Sequence, residues 1–183
     1  MQRLLYQAKW DVDAVCADVG DYVAEHLGEP DAVLVVDESG IPKKGSKSAG
    51  VAPQYCGARN TVVNCQVGVF VAYVSTRGTA LVDRELYLPK GWSEDRERCQ
   101  EAGIPEQVGF ACKQQLAAKM LARLVGRVPA GWGAADPVCM GPTPGCGPGW
   151  KADGWGTCWA SERSTEWRSS PTRAMWSRSR PAS

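Results

Sequence analysis

The chain has a single histidine, His26, among 183 residues. Ser-His-Asp and Cys-His mechanisms would both have to use it. It lies in a helix-like stretch, where a surface or packed imidazole is the plain reading. No run of 18 apolar residues occurs, so the sequence predicts no membrane span. Met1 to Asp11 lack the apolar stretch of a signal peptide, which predicts a cytoplasmic protein. None of the eight cysteines forms a CxxC pair. Cys16, Cys56, Cys65, Cys99 and Cys112 are scattered through an intracellular-looking body, and reduced, packed thiols are expected. Cys139, Cys146 and Cys158 are 7 and 12 residues apart with no nearby histidine. Structural zinc favours closer ligand pairs, so a zinc-binding tail is disfavoured. An excess of one charge sign is missing too: 21 basic against 20 acidic residues give a net of +1. Bulk charge therefore advertises neither nucleic acid nor a solvating tail. Chemistry, if present, falls to carboxylates and a metal.

A further absence divides the chain. The 47 residues from Pro137 to Ser183 contain no Leu, Ile, Phe or Tyr. They hold five of the eight Trp, three of the eight Cys, six Gly, six Pro and seven Ser. Such a segment has almost no aliphatic side chains from which to build a core.

What is present comes earlier. Val15, Val19, Tyr22, Val23 and Leu27 recur at helical spacing between Trp10 and Leu27, and Gly28 and Pro30 end that pattern. Ala32 to Val36 is a short run apolar on both faces, as in a central buried strand, and it stops at Asp37. Glu38–Arg59 reads as a loop with Lys43, Lys44 and Lys47 close together. Val62–Ser75 and Thr79–Leu88 read as strands joined at Arg77-Gly78 into a hairpin. A charged connection follows, with a short helix expected at Ser93–Glu101. Leu116, Met120, Leu121, Leu124 and Val125 mark a helix over 110–125, closed by Gly126 and Pro129. Gly131–Ala135 is a fourth strand, again ending at an acidic residue, Asp136.

Three strands, a helical crossover and a fourth strand predict an α/β sheet with antiparallel and parallel parts. The crossover can lay the fourth strand parallel to the first, which sets Asp37 and Asp136 at neighbouring strand ends. Adjacent strands lie about 4.8 Å apart. Two carboxylates that close repel unless a cation sits between them, and Mg²⁺ favours such oxygen ligands. Each Asp alone also suits a turn or cap. The three lysines suit phosphate contact or a solvated loop. Asp83 and Glu85 share one face of the third strand, expected to look at solvent. Ser93 to Arg98 reads as an exposed charged helix.

The segments Val35-Val36-Asp37-Glu38-Ser39-Gly40-Ile41-Pro42-Lys43-Lys44-Gly45, Gln54-Tyr55-Cys56-Gly57 and Asn64-Cys65-Gln66-Val67-Gly68-Val69 resemble DDE-type insertion-sequence transposases. The resemblance is to the insertion sequence 701 group, also described as DDE superfamily endonucleases. Asp83-Arg84-Glu85-Leu86-Tyr87-Leu88-Pro89 with Trp92, and Ala134-Ala135-Asp136-Pro137-Val138, extend it over about residues 1–138. It implies a ribonuclease-H-like fold and two Asp plus one Glu holding two Mg²⁺ or Mn²⁺ ions, which cleave and join DNA at transposon ends. Asp37 matches the first acidic residue and Asp136 the second. The third has no counterpart here, because the resemblance stops after Val138; Glu162 and Glu166 sit in no family context.

A frame change explains why the resemblance and the aliphatic residues stop together. Read two bases late, Cys139-Met140 encodes Tyr or His, and Met140-Gly141 encodes Gly, as the family pattern requires. Over 155–161 the same frame can read Gly-Tyr-Val-Leu-Gly-Val, a strand-like phrase. The expected organisation is an N-terminal helical segment (1–30), a partial ribonuclease-H-like core (31–138) and a disordered, frameshifted tail (139–183). Without a fifth strand, strand 131–135 would be an exposed edge. The functional expectation is a truncated transposase-derived fragment, inactive in this copy. Its metal ligands would be Asp37 and Asp136, and its DNA-contact candidates Lys43, Lys44 and Lys47. Partners would be transposon-end DNA and a second copy or full-length transposase, with no membrane and location at the nucleoid when DNA-bound. The alternative is a non-catalytic DNA-binding or dimerising regulator; residues 1–136, with 15 basic and 17 acidic groups, speak against strong DNA binding.

Overall fold

The protein is described from a computed structural model. It describes residues 9–135, and beyond them the strand segments 156–159 and 168–169. Helix α1 (Val12–Leu27) begins at Asp11, whose Oδ1 accepts the N–H groups of Asp13 and Ala14 at 3.1 and 3.0 Å. That side chain satisfies two donors the first helical turn leaves open. The chain then enters β1 (Val33–Pro42), β2 (Ala52–Cys56), a 3₁₀ turn (Gly57–Arg59), β3 (Thr61–Ser75) and β4 (Gly78–Tyr87). Short helices α2 (Lys90–Ser93) and α3 (Arg96–Glu101) lead to α4 (Lys113–Leu124). After it come β5 (Trp132–Ala135), β6 (Gly156–Trp159) and β7 (Arg168–Ser169).

The strands form one mixed sheet. β3 is antiparallel to both β1 and β4, and β5 runs parallel to β1. β6 is parallel to β5, and β7 closes antiparallel on β6. β2 pairs only with Thr61–Cys65, leaving Val67–Ser75 of β3 to β4. The order β4-β3-β1-β5-β6, with α4 as the crossover, is ribonuclease-H-like.

The core lies on one sheet face. Ala32, Leu34 and Val36 alternate inward from the start of β1, and Val69, Val71 and Tyr73 do so from β3. Leu116, Ala117, Met120, Leu121 and Leu124 of α4 cover them, with Val23 of α1. At helical spacing those α4 residues make a single stripe, which is why the periodicity was readable. Gly126, at φ +77°, ends the helix in the left-handed region that favours glycine.

Tyr73 ties the elements together at the far end of β3. Its buried hydroxyl donates to the carbonyl of Pro129 at 2.7 Å and accepts the N–H of Glu29 at 2.9 Å. Tyr73→Phe strands both partners, so unfolding should become easier by about 1–2 kcal/mol. A shift of the urea midpoint at unchanged m-value checks this.

Three expectations are corrected. Residues 38–42 are strand rather than loop, and β2 lies inside the segment read as a loop. The long β3 supplies ladder partners from Val69 to Cys65, and this pairing overrides the weak strand propensity of Gly, Ser and Pro. The first half of α1 is not core: Val15, Val19 and Tyr22 stand exposed, because the helix packs on the sheet through Val23, Ala24 and Leu27. Nor is β5 an open edge, since β6 pairs with it residue for residue from Gly156 to Trp159. The rest of 139–183, on which the expected disorder mainly falls, lies outside the described residues. Among the described residues no helix is long and apolar enough to cross a membrane.

Candidate functional site

β1 carries the site because its first half is buried and its second half is not. Val36 is inside, whereas Asp37 is exposed. Asp37 faces Phe70 across the antiparallel ladder with β3. Its Oδ1 accepts the N–H of Glu38 at 2.7 Å, which fixes the carboxylate against its own strand. On the other side of β1, Val36 is opposite Ala135 in parallel register. Asp136 follows Ala135 in the chain but lies outside the described residues.

Glu38, one residue on, points to the opposite face by strand alternation. There it forms an ion pair with Lys113 at the start of α4. Lys113 also lies 5.5 Å from the Tyr87 ring centroid. Sequence reasoning missed this pair, although the alternation of Asp37 and Glu38 was there to be read. Below it, burial pushes the Cys65 thiol above its ordinary pKa, helped by the neighbouring Cys56. Cys16, Cys56, Cys65 and Cys99 are free thiols, as expected, but Cys112 is disulfide-bonded, against the expectation of a reduced thiol.

Asp83 and Glu85 do not look at solvent. A β-bulge at Val71/Ala72 skips Val82, so Val82 and Asp83, consecutive in β4, are both buried. Arg123 of α4 donates from Nε and Nη2 to the two Asp83 oxygens, each at 2.9 Å, and from Nη1 to Glu85 at 2.7 Å. Lys119, one turn earlier, lies 3.0 Å from Glu85. Strand alternation alone could not place a helix over this face, and it had no register for the bulge.

Burial would raise the Glu85 carboxyl, but hydrogen bonds from Arg123 and Lys119 outweigh it and hold the pKa below its ordinary 4.5. A depressed folded pKa gives stability that is present above the unfolded value and lost as pH falls through the folded one. Glu85→Gln should therefore cost stability near pH 7, and the cost should shrink below about pH 4.5. Urea midpoints of the two proteins across pH check this.

The lysines are exposed on the segment between β1 and β2. His26 is exposed on α1 with its ring 4.2 Å from that of Tyr22, a surface position as expected. Ser93–Arg98 is more than an exposed charged helix. Trp92 and Cys99 beside it are buried, and Arg98 stacks 3.8 Å over the Trp92 ring.

A hard divalent cation suits what is described. Asp37 is an exposed carboxylate on a rigid strand, and Mg²⁺ is typically held by one or two carboxylates while keeping several waters. Among the described residues no three His, Cys, Asp or Glu side chains gather as a metal cluster.

No curated protein and no solved structure matches the chain. A family model, described as DDE superfamily endonuclease, matches residues 1–139. That stretch contains every element from α1 through β5 and covers well over half of the sequence. The match and the sheet order agree, and the chain belongs to the DDE superfamily endonucleases.

Proposed function

We propose that this chain derives from an insertion-sequence transposase of the 701 group and that its ancestral reaction is metal-dependent cleavage and joining of DNA at transposon ends. The observation that carries the reading is the parallel register of β1 and β5. Val36 faces Ala135, and the next residues in the two sequences are Asp37 and Asp136. Asp37 and Asp136 would together hold Mg²⁺ or Mn²⁺. The bound ion would supply an activated water and stabilise the leaving oxygen of a phosphodiester. The chain's own part is to fix the carboxylates: the Glu38 N–H orients that of Asp37, and the Glu38–Lys113 pair anchors the strand behind it. Lys43, Lys44 and Lys47 lie downstream on the same strand's exit, exposed for contact with the DNA backbone.

In this copy the reaction is lost, because the reading frame changes after Val138 and the third carboxylate is not encoded in family context. The family match ends at residue 139, and Val138 is the last Val, Leu or Ile of the sequence. β6 falls on codons 156–159, within the stretch whose alternative frame can read Gly-Tyr-Val-Leu-Gly-Val. The nucleotide sequence across codons 136–142, set against sibling elements, tests this directly. An insertion or deletion there is expected, and an intact frame shared with active siblings would remove the frameshift.

A further inference from the structure

From Ser39 to Val82 the chain has no acidic residue and five basic ones, Lys43, Lys44, Lys47, Arg59 and Arg77. Residues 1–38 carry nine acidic residues and two basic ones. The near-neutral total thus hides a cationic middle, and four of its five charges lie between the end of β1 and the start of β3.

The lysine segment is also held in an unusual way. An exposed loop ordinarily finds its hydrogen bonds in water. Here side chains from the surrounding elements take its carbonyls one after another. Asn64 donates to Lys43 and Gly45 at 3.0 and 2.8 Å. Arg98 donates to Ser46 at 2.8 Å, Gln66 to Ala49 at 2.6 Å and Gln54 to Gly50 at 3.1 Å. The Trp92 indole donates to Val51 at 2.7 Å, and Arg98 lies over that indole. The backbone is fixed from within while the three lysines remain exposed. A loop with no task gains little from such bracing. One that must present several ammonium groups at once gains affinity, because its ordering cost is met before the ligand arrives.

We propose that residues 43–50 form a pre-ordered cationic ledge for the phosphate backbone of double-stranded DNA, with Asn64, Gln66 and Arg98 as its positioning residues. β1 runs unbroken from Asp37 to Pro42. Lys43 is therefore at most about 20 Å from Asp37 at about 3.3 Å per residue. At 3.4 Å per base pair, the ledge grips the duplex within about six base pairs of the phosphate addressed by Asp37. This inference rests on DNA being the substrate.

The test is fluorescence anisotropy of the full chain with a labelled DNA duplex over a series of salt concentrations. The slope of log K against log salt should shrink by about 0.9 for each lysine contact removed, and so by nearly 3 in Lys43→Gln/Lys44→Gln/Lys47→Gln. Asn64→Ala keeps every charge, so it should keep the slope while weakening binding about three- to tenfold. Arg77→Gln, at the other end of β3, should change neither. A triple variant with the wild-type slope would overturn the ledge while leaving DNA as substrate. Wild-type affinity in Asn64→Ala would remove the positioning role. Absence of DNA binding by the wild-type chain would overturn the DNA reading itself, and tighter binding of a matching RNA duplex would reassign the partner.

Discussion

Strand cleavage with Mg²⁺ or Mn²⁺ is expected to be absent from the 183-residue chain and to appear when one base is added after codon 138. In that restored chain, Asp37→Ala should lower the rate by about three orders of magnitude. The size follows from the chemistry. Metal stabilisation of a phosphodiester transition state is worth several kcal/mol, and each 1.36 kcal/mol is tenfold in rate. Losing a carboxylate that holds the metal forfeits most of it. The conservative Asp37→Asn should be nearly as damaging, because an amide lacks the charge that retains a hard cation. In the chain as it stands, Asp37→Ala should have no effect on the background. Nicking of a supercoiled plasmid, with EDTA as the blank, reads all of these. Metal-dependent nicking by the unaltered chain that is lost on Asp37→Ala would show this copy to be active and would sink the account of its inactivity.

Arg123→Met is expected to destabilise the fold by about 3 kcal/mol, the low end of what breaking a buried ion pair costs. The Asp83 side chain is only 5% exposed, so without its partner it becomes an uncompensated buried charge. The Arg123 side chain is 40% exposed, which keeps the figure at the low end. Asp83→Leu in the same chain should recover much of the loss, because the lone charge is then gone and an apolar pair can fill the space. Urea unfolding of the four proteins of this double-mutant cycle gives the coupling directly. Independent effects of the two substitutions would mean that Asp83 finds water or another donor.

The local pattern reached a long way. The hairpin strands and the stripe on α4 follow periods of 2 and 3.6, which short-range sterics set, and the run 32–36 is legible because it is apolar throughout. The break in composition after Pro137 needed no structure, because a segment without Leu, Ile, Phe or Tyr has little to bury. The change of burial at Asp37 was visible for the same reason, although the strand itself runs on to Pro42.

Other features were decided only when distant segments met. Residues 38–42 became strand because β3 was long enough to pair with them. Asp83 turned inward because a bulge in β4 coincided with Arg123 on a helix 40 residues away. Glu38 found Lys113, and Asn64, Gln66 and Arg98 found the carbonyls of the lysine loop. Polar partnerships of this kind have no period, and they depend on which elements the sheet order places side by side. The sequence by itself determined the elements, the family-bearing motifs and the place where the aliphatic residues end. The tertiary structure alone decided which charges are buried, which loop is braced and which strand covers β5, because those outcomes depend on contacts between residues far apart in the chain.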